Sequence, residues 1–433
     1  MSSDWPIVAI EDVCDLIVDC VNKTAPVVDG VTPFRMIRTT NVRNGRIDLN
    51  ECRYVEESTY KTWTRRAQLE IGDVILTREA PIGEIGFVTE AEGVFLGQRL
   101  MQYRANPKLL DSRYLLYCFL SPALQHQFGS HEGSGSVVSH IRVGDCFKFK
   151  LQLPPLQKQR EIAQTLAALD DRITLLREIN KTLEAIAQAL FKSWFVDFDP
   201  VRAKSDGKLP EGIDAAAAAL FPDAFDETEL VVVPSGWNIE PLDKIASFLN
   251  GLALQKFPPT GQGDLPVIKI AQLRKGDTVG TDLADGSIKS EYIIKNGDVL
   301  FSWSGSLEVD IWCGGDGALN QHLFKVTSSR FEKWFYYFWT KYHLASFRQI
   351  AASKATTMGH IQRGHLTLAK VVVPSDKILA IANELFAPLV DRIVENTLQA
   401  NTLSNLRDTL LPRLILGQLR IADAEAELEK ATA

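Results

Sequence analysis

Residues 166–194 read LAALDDRITLLREINKTLEAIAQALFKSW, and this stretch decides the fold. Its apolar residues recur at alternating spacings of three and four, the heptad pattern with which paired helices bury a common seam. The pattern predicts a helix of about 40 residues, or roughly 60 Å at about 1.5 Å per residue. The predicted seam positions are Leu166, Leu169, Ile173, Leu176, Asn180, Leu183, Ala187, Leu190 and Trp194.

The same pattern returns 220 residues later. Core packing would explain one such helix, whereas two of equal length favour pairing with each other, and a pseudo-dyad between them would make them antiparallel. Asn180 and Asn396 would then either meet in the seam and fix its register, or both face solvent. The seam positions of the second helix are Ala382, Phe386, Leu389, Ile393, Asn396, Ala400, Leu403, Arg407, Leu410 and Leu414.

The two helices belong to an internal repeat that covers the whole chain. The offset between matched residues falls from 232 at Trp5 and Trp237 to 220 at Asp171 and Asp391, so insertions lie in the first part of each repeat. Loops tolerate insertion and packed helices do not. The matched segments begin at Trp5 and Trp237, Phe34 and Pro266, Asn41 and Gln272, Gly72 and Gly297, Gly97 and Asn320, Ser139 and Gly359, Leu153 and Val373, and Asp171 and Asp391.

The first part of each repeat alternates short β-branched runs with turns and contains one helical stretch, at 113–127 or 333–348. This pattern predicts a compact α+β domain. The fold class is therefore α+β: two tandem domains separated by two long antiparallel coiled-coil helices, in a pseudo-two-fold internal repeat. The predicted segments are a first domain at 1–152, a long helix at 153–198, a linker at 199–232, a second domain at 233–372, a second long helix at 373–417 and an acidic tail at 418–433.

Composition bounds the function. The net charge of −7 argues mildly against a DNA-binding protein, but many carboxylates lie in the linker and the tail, and local charge governs a binding surface. The chain has no apolar run of about 18 residues and no secretory signal, so we expect no membrane span. Six scattered cysteines predict reduced thiols in a cytoplasmic protein, not disulfides or metal ligands.

Motifs for catalysis are missing from the sequence. It contains no phosphate-binding loop, no zinc-protease or serine-hydrolase motif and no amino-methyltransferase signature, and its seven histidines have no ligand spacing. We therefore predict a protein without a catalytic or metal site of its own.

A binding signal remains. The stretch from 35 to 46 carries four arginines and no carboxylate, and arginine and asparagine suit bidentate contacts with base edges. Small polar loops at 129–139 and 351–359 would let the backbone approach a phosphate. The alternative is a solvated surface with ordinary turns. The candidate DNA-binding residues are Arg35, Arg38, Asn41, Arg43, Arg46, Lys61, Arg65, Arg66, Ser136, Lys269, Gln272, Arg274, Lys275, Lys354, Thr356 and Thr357.

Over essentially its whole length the chain resembles the specificity subunits of type I restriction-modification systems. The resemblance is carried by LPPLQKQREI at 153–162, ALFKSWFVDFDPVRA at 189–203, the linker from Leu209 to Pro222 and VPSGW at 233–237. The second helix departs from this pattern, because PSDKI at 374–378 stands where the first has LPPLQKQREI.

The resemblance implies that each variable domain is a target recognition domain that reads one half of an interrupted DNA sequence. The helices would set the spacer and dock two methyltransferase (modification) subunits, which bind S-adenosylmethionine and carry out DNA methylation. Motor-nuclease (restriction) subunits would join with ATP and Mg²⁺, while this chain binds no cofactor. Two alternatives stay open: a protein-binding scaffold of a multi-subunit complex, or a fragment of a fused restriction-modification enzyme.

Overall fold

The computed structural model describes residues 5–131, 140–227, 232–353 and 359–432. They separate into two units. The first unit comprises Met1–Ile173 and Thr402–Ala433, and the second comprises Thr174–Asn401. Each unit therefore combines one α+β domain with a segment of each long helix.

The first unit is built on an antiparallel four-stranded sheet whose strands, in spatial order, are Cys14–Asp19, Leu100–Ala105, Val74–Arg78 and Ile82–Phe87. A three-stranded sheet lies beside it. The smaller pairings and helices are Arg35–Ile37 with Arg53–Tyr54 and Val94–Leu96, Ile7–Ala9 with Lys150–Gln152, Val42–Arg43 with Arg46–Ile47, and the helices Glu57–Trp63, Ser112–Leu120 and Pro122–Gly129.

The second unit repeats this plan. Its antiparallel four-stranded sheet has the order Ser247–Asn250, Leu323–Thr327, Val299–Ser302 and Val309–Ile311. The other strands are Leu265–Ile268 with Leu283–Ala284 and Gly317–Leu319, Ile293–Ile294 with Gly317–Leu319, Asn238–Pro241 with Lys370–Val373, and Phe225–Glu227 with Val232–Pro234. The helices of its domain are Leu242–Ile245, Ile270–Lys275, Lys333–Ser353 and Arg363–Leu368.

The predicted repeat is confirmed in detail. Gly72 and Gly297, with φ of 97° and 88°, precede equivalent strands of the two four-stranded sheets, Val74–Arg78 and Val299–Ser302. The carboxylate that follows each glycine accepts a hydrogen bond from the backbone three residues earlier, at 2.7 Å for Asp73 and 2.7 Å for Asp298. The predicted domain helix differs between the repeats, because Pro122 breaks the first into two helices while the second runs unbroken.

The first long helix spans Leu156–Phe195 and the second spans Asp376–Ile415, each 40 residues long. Within the second unit Asn180 contacts Asn396 and Phe191 contacts Phe386, so the helices run antiparallel, as predicted. Most predicted seam residues are buried. Among them, Leu169, Ile173, Leu176, Asn396 and Leu403 are buried, and Asn180, Leu183, Leu389 and Ile393 are partly buried.

An aromatic core in the second unit joins both long helices to the domain. The rings of Trp334 and Phe386 stack with centroids 4.7 Å apart. The predicted linker also reaches this core, because Val201 and Phe221 are buried in it. The segment from 199 to 232 is thus folded in part, with helices at Asp199–Ser205 and Ala215–Leu220.

The predicted acidic tail also has structure. It forms the helix Ile421–Thr432, and Arg413 of the second long helix is bonded to its Glu427 at 3.2 Å. Across the described ranges, no helix combines the length and apolar character needed to cross a membrane. In the same residues no group of three or more His, Cys, Asp or Glu side chains is placed to hold a metal ion.

Candidate nucleic-acid interface

The basic turn of the first unit, residues 38–46, opens with a 3₁₀ turn that Asn41 caps. Asn41 Oδ1 accepts a hydrogen bond from Arg38 N at 2.9 Å, and its Nδ2 donates to Asp48 O at 3.2 Å. Asn41 is only 2% exposed. Because its amide is used inside the turn, the structure does not support the prediction that Asn41 contacts a base.

Three arginines of this turn bond to backbone carbonyl oxygens. The distances are 3.1 Å from Arg38 Nη2 to Glu51 O, 2.8 Å from Arg43 Nη1 to Val42 O and 3.3 Å from Arg46 Nη2 to Asp170 O. A bond to a neutral carbonyl orients a guanidinium without cancelling its charge. Arg43 also lies 3.7 Å from Glu84, a weak exposed ion pair. The turn therefore presents oriented positive charge.

The other basic residues predicted in this unit are mostly paired with carboxylates. Arg35 pairs with Glu90, Arg66 pairs with Asp19, and Lys61 lies 2.8 Å from Glu57. Arg65 is exposed and has no partner in the described part of the chain. Except for Arg65, this group offers less net positive charge than the basic turn.

The basic turn of the second unit, residues 269–276, is the helix Ile270–Lys275 with its flanking residues. Gln272 takes the role of Asn41, because its Oε1 accepts from Lys269 N at 3.3 Å and it is 7% exposed. Gln272 is therefore a cap, and the structure does not support it as a base contact either. Gly276 ends the helix with φ of 74°, as Gly45 ends the first turn with φ of 81°.

The cations of the second basic turn have different environments. Lys269 pairs with Asp282, and this hydrogen bond and charge lower the pKa of Asp282. Arg274 and Lys275 are exposed on the last turn of the helix. Neither has an ion-pair partner among the residues that the structure describes.

Arg274 lines a cleft of about 390 Å³. The turn at Gly305 and the ends of the predicted polar loop, at Ala351 and Gly359, line the same cleft. Its other cation, Arg348, lies 3.1 Å from Glu308. The structure thus places Arg274 beside the ends of that loop. The predicted residues Ser136, Lys354, Thr356 and Thr357 lie outside the described residues.

A second feature, the hairpin tip, was not predicted from the sequence. It comprises residues 77–81, 97–99 and 140–141 of the first unit and residues 302–306, 320–322 and 359–361 of the second. In both units the same hydrogen bonds hold it. In the first unit they run from Thr77 Oγ1 to Pro81 O at 2.6 Å, from Arg78 N to Arg99 O at 2.8 Å and from Ile141 N to Arg78 O at 2.9 Å. In the second unit the corresponding bonds run, in the same order, from Ser302 Oγ to Ser306 O at 2.8 Å, from Trp303 N to His322 O at 3.4 Å and from Ile361 N to Trp303 O at 3.0 Å.

The hairpin tip adjoins the basic turn in each unit. Gly97 N donates to Ile37 O at 2.7 Å, immediately before Arg38. Asn320 N donates to Ile268 O at 3.3 Å, immediately before Lys269. Each unit therefore presents one polar surface made of a basic turn and a hairpin tip.

The sequence model of the family described as "type I restriction modification DNA specificity domain" matches residues 2–185 and 234–401, which coincide with the two repeats. The chain belongs to this family. Specificity subunits are the non-catalytic, DNA-recognising components of type I restriction-modification systems.

Two curated relatives are specificity subunits. The chain is 25% identical over 361 residues to the type I restriction enzyme MjaIX specificity subunit of Methanocaldococcus jannaschii, covering 81% of this chain and 78% of the relative. It is 23% identical over 429 residues to the HindI specificity subunit of Haemophilus influenzae, covering 87% and 94%. The crystal structure of the type I S subunit from M. genitalium shares the fold, with a TM-score of 0.53 at 14% identity, covering 95% of this chain and 96% of that one.

Proposed function

We propose that this specificity subunit reads an interrupted DNA target, each unit contacting one half of it. The observation that carries the proposal is the repeated surface, in which a basic turn and a hairpin tip adjoin in both units. Two similar surfaces on one chain fit a target of two parts, and side chains that differ between them fit halves of different sequence. The long helices, each continuous over 40 residues, would set the spacer.

The side chains of the basic turns fit this role. Arg38, Arg43 and Arg274 each present a guanidinium at the surface or at its edge. Guanidinium groups bind phosphate oxygens, which position a protein on the duplex, and the O6 and N7 atoms of guanine, which specify sequence. A local concentration of such groups accounts for DNA binding by a chain whose net charge is −7.

The first long helix supports a further part of the proposal, the docking of two methyltransferase subunits. Leu175, Ile179 and Ile186 are 38% to 51% exposed and, at spacings of four and seven, lie along one side of the helix. Contiguous exposed apolar side chains mark interaction surfaces. In the proposed complex the methyltransferase subunits carry S-adenosylmethionine, and motor-nuclease subunits carry ATP and Mg²⁺.

Domain exchange tests the reading of two half-targets. Residues 1–152 are replaced by the corresponding domain of another family member, and the chain is expressed with its methyltransferase subunits. Sequencing of methylated positions in the host genome should then show a change in one half of the target only. Exchange of residues 233–372 should change the other half. Methylation that is unchanged in both halves would overturn the proposal.

A further inference from the structure

The two hairpin tips share a left-handed φ at one turn position, although the Ala80–Pro81 peptide bond is cis and the matched bond after Gly305 is not. Ala80 and Gly305 occupy the same turn position, with φ of 52° and 66° respectively. Glycine adopts this left-handed conformation freely, whereas alanine does so at a cost. The first unit thus keeps the conformation although its residue disfavours it, which indicates that the surrounding structure holds the backbone in place.

At these matched hairpin tips, each unit brings one pair of polar side chains together, and the pairs differ chemically. In the first unit Arg99 Nε lies 3.6 Å from Glu79 Oε1. In the second unit His322 Nδ1 lies 2.9 Å from Ser304 Oγ. The matched backbone hydrogen bonds place Arg99 opposite His322 in the repeat, and Glu79 opposite Ser304. The backbone hydrogen bonds of the tip are the same in both units, while the side chains that they position differ.

Arg99 is placed to contact a ligand. Its side chain is 49% exposed, and its own φ of 69° is in the left-handed region. Its guanidinium has no hydrogen bond to any residue that the structure describes. Glu79 lies at the Nε side, where it can orient the group, which leaves the two Nη atoms for a partner. That pair of donors matches the O6 and N7 acceptors of guanine.

His322 is oriented in a comparable way. Ser304 is only 4% exposed, so its hydroxyl is directed to the imidazole rather than to solvent. The imidazole also packs beside Trp303, with ring centroids 6.0 Å apart, and the Trp303 Nε1 group is itself held by Asn250 Oδ1 at 2.9 Å. The Nε2 atom of His322 lies 3.4 Å from the side-chain amide of Gln321. The imidazole and this amide therefore form the polar groups at this end of the hairpin tip.

We infer that Arg99 and His322 are equivalent specificity-determining residues, Arg99 reading a guanine in one half of the target and His322 contacting a base pair in the other. Glu79 and Ser304 are their positioning residues. This inference rests on the proposed function, because it assigns the base contacts that two half-target readers require. It also assigns base contacts to residues outside the basic turns, so that the arginines of those turns mainly contact phosphate groups.

The test measures methylation of a library of randomised targets by the full chain assembled with its methyltransferase subunits. Arg99→Ala should reduce discrimination at a single base pair, on the order of 10- to 100-fold, in one half only. The other half should remain fully specific, which shows that the variant is folded and assembled. Arg99→Lys should lose part of that discrimination, since lysine lacks the planar, rigid pair of Nη donors. Glu79→Gln should give a smaller loss at that base pair.

His322→Ala should relax one base pair in the other half and leave the first intact. The matched control for Arg99→Ala is Arg113→Ala, which removes an exposed arginine of the first unit on the helix Ser112–Leu120 and should change neither half.

Three results would overturn the inference. A uniform loss of binding to all sequences, with a salt dependence that falls by about one unit of slope, would make Arg99 a phosphate contact. Full discrimination retained by Arg99→Lys would show that the planar pair of Nη donors is not what reads the base. Unchanged specificity in Arg99→Ala and His322→Ala, in a chain whose domain exchange does alter the target, would place the base contacts elsewhere while the proposed function stands.

Discussion

The side-chain amide of Asn396 donates a hydrogen bond to the side-chain carbonyl of Asn180 at 2.8 Å, across the two long helices. Asn180 Nδ2 in turn donates to Ile393 O and to Thr397 Oγ1, both at 2.9 Å. Of the two alternatives that the sequence left open, the structure shows the pair meeting in the seam. These bonds form only when position 180 lies opposite 396, so the pair specifies the register of the helices.

Removing one member of this pair should destabilise the chain. Asn396→Leu leaves Asn180 without its donor in a partly buried seam, and we expect a loss of about 1–3 kcal/mol in the free energy of unfolding. The double variant Asn180→Leu with Asn396→Leu should recover much of that loss, because no polar group is then left unpaired. Urea unfolding followed by circular dichroism measures both. The control is Asn405→Leu, at an exposed site of the same helix. Additive losses in the double variant would contradict the argument.

Asp170 ties the first domain to the long helices within the first unit. Its carboxylate accepts from Arg407 Nη1 at 2.7 Å and from the Tyr117 hydroxyl at 2.8 Å. Burial acts to lower the pKa of Arg407, but the hydrogen bond and charge of Asp170 outweigh it, so the pKa is raised.

Asp170→Ala should therefore destabilise the folded chain by about 1.5–3 kcal/mol, the range for hydrogen bonds to charged groups. Thermal unfolding of this variant is compared with that of Asp171→Ala, which removes the neighbouring, exposed carboxylate. We expect the latter to change stability by no more than about 0.5 kcal/mol. Equal effects of the two substitutions would show that the network has no special role.

The ion pair of Lys269 and Asp282 should be visible in a pH titration. Lys269 lowers the pKa of Asp282, so the stability that the pair contributes is present above the unfolded pKa and is lost as the pH falls through the folded one. In Lys269→Met the pKa of Asp282 should rise to its ordinary value, as measured by carbon-detected NMR of the carboxyl group. Lys275→Met, on the same helix, should leave the Asp282 pKa unchanged. If Lys269→Met leaves the titration of Asp282 unchanged, the ion pair does not form in solution.

The six cysteines are all free, as the sequence predicted, and their thiols should be slow to react in the folded chain. Burial raises the pKa of Cys14 and Cys118 to about 12 and that of Cys52, Cys146 and Cys313 to about 11, and it also raises the pKa of Cys20. The thiolate is the reactive form, so little of it exists at pH 8. Titration with an aromatic disulfide should detect six thiols only after denaturation. Rapid reaction of a native thiol would disprove this.

The long helices and the repeat could be predicted because their signals are local and periodic. The heptad spacing of the apolar residues gives both helices, and the constant offset of 220 gives their equal length. The linker was harder to interpret, because its polar composition suggests an exposed connection. Two of its large apolar residues, Val201 and Phe221, are instead buried in the aromatic core.

The candidate site was predicted only in part. Asn41 and Gln272 were assigned to DNA because of their chemistry, yet both cap a turn at the same place in each repeat. Their matched positions were the signal for a structural role. Arg99 and His322 were missed because strand pairing, which joins segments about 20 residues apart, brings them to the hairpin tip. A difference between two otherwise matched segments was the available signal for them.

Each long helix supplies residues to both units, since the division falls at Ile173 in the first helix and at Asn401 in the second. A helix resists melting from its middle, because its hydrogen bonds form cooperatively. Unfolding of one unit on heating therefore destabilises a helix whose other segment belongs to the second unit. The thermal melting of the chain should consequently show a single shared transition rather than two separate ones.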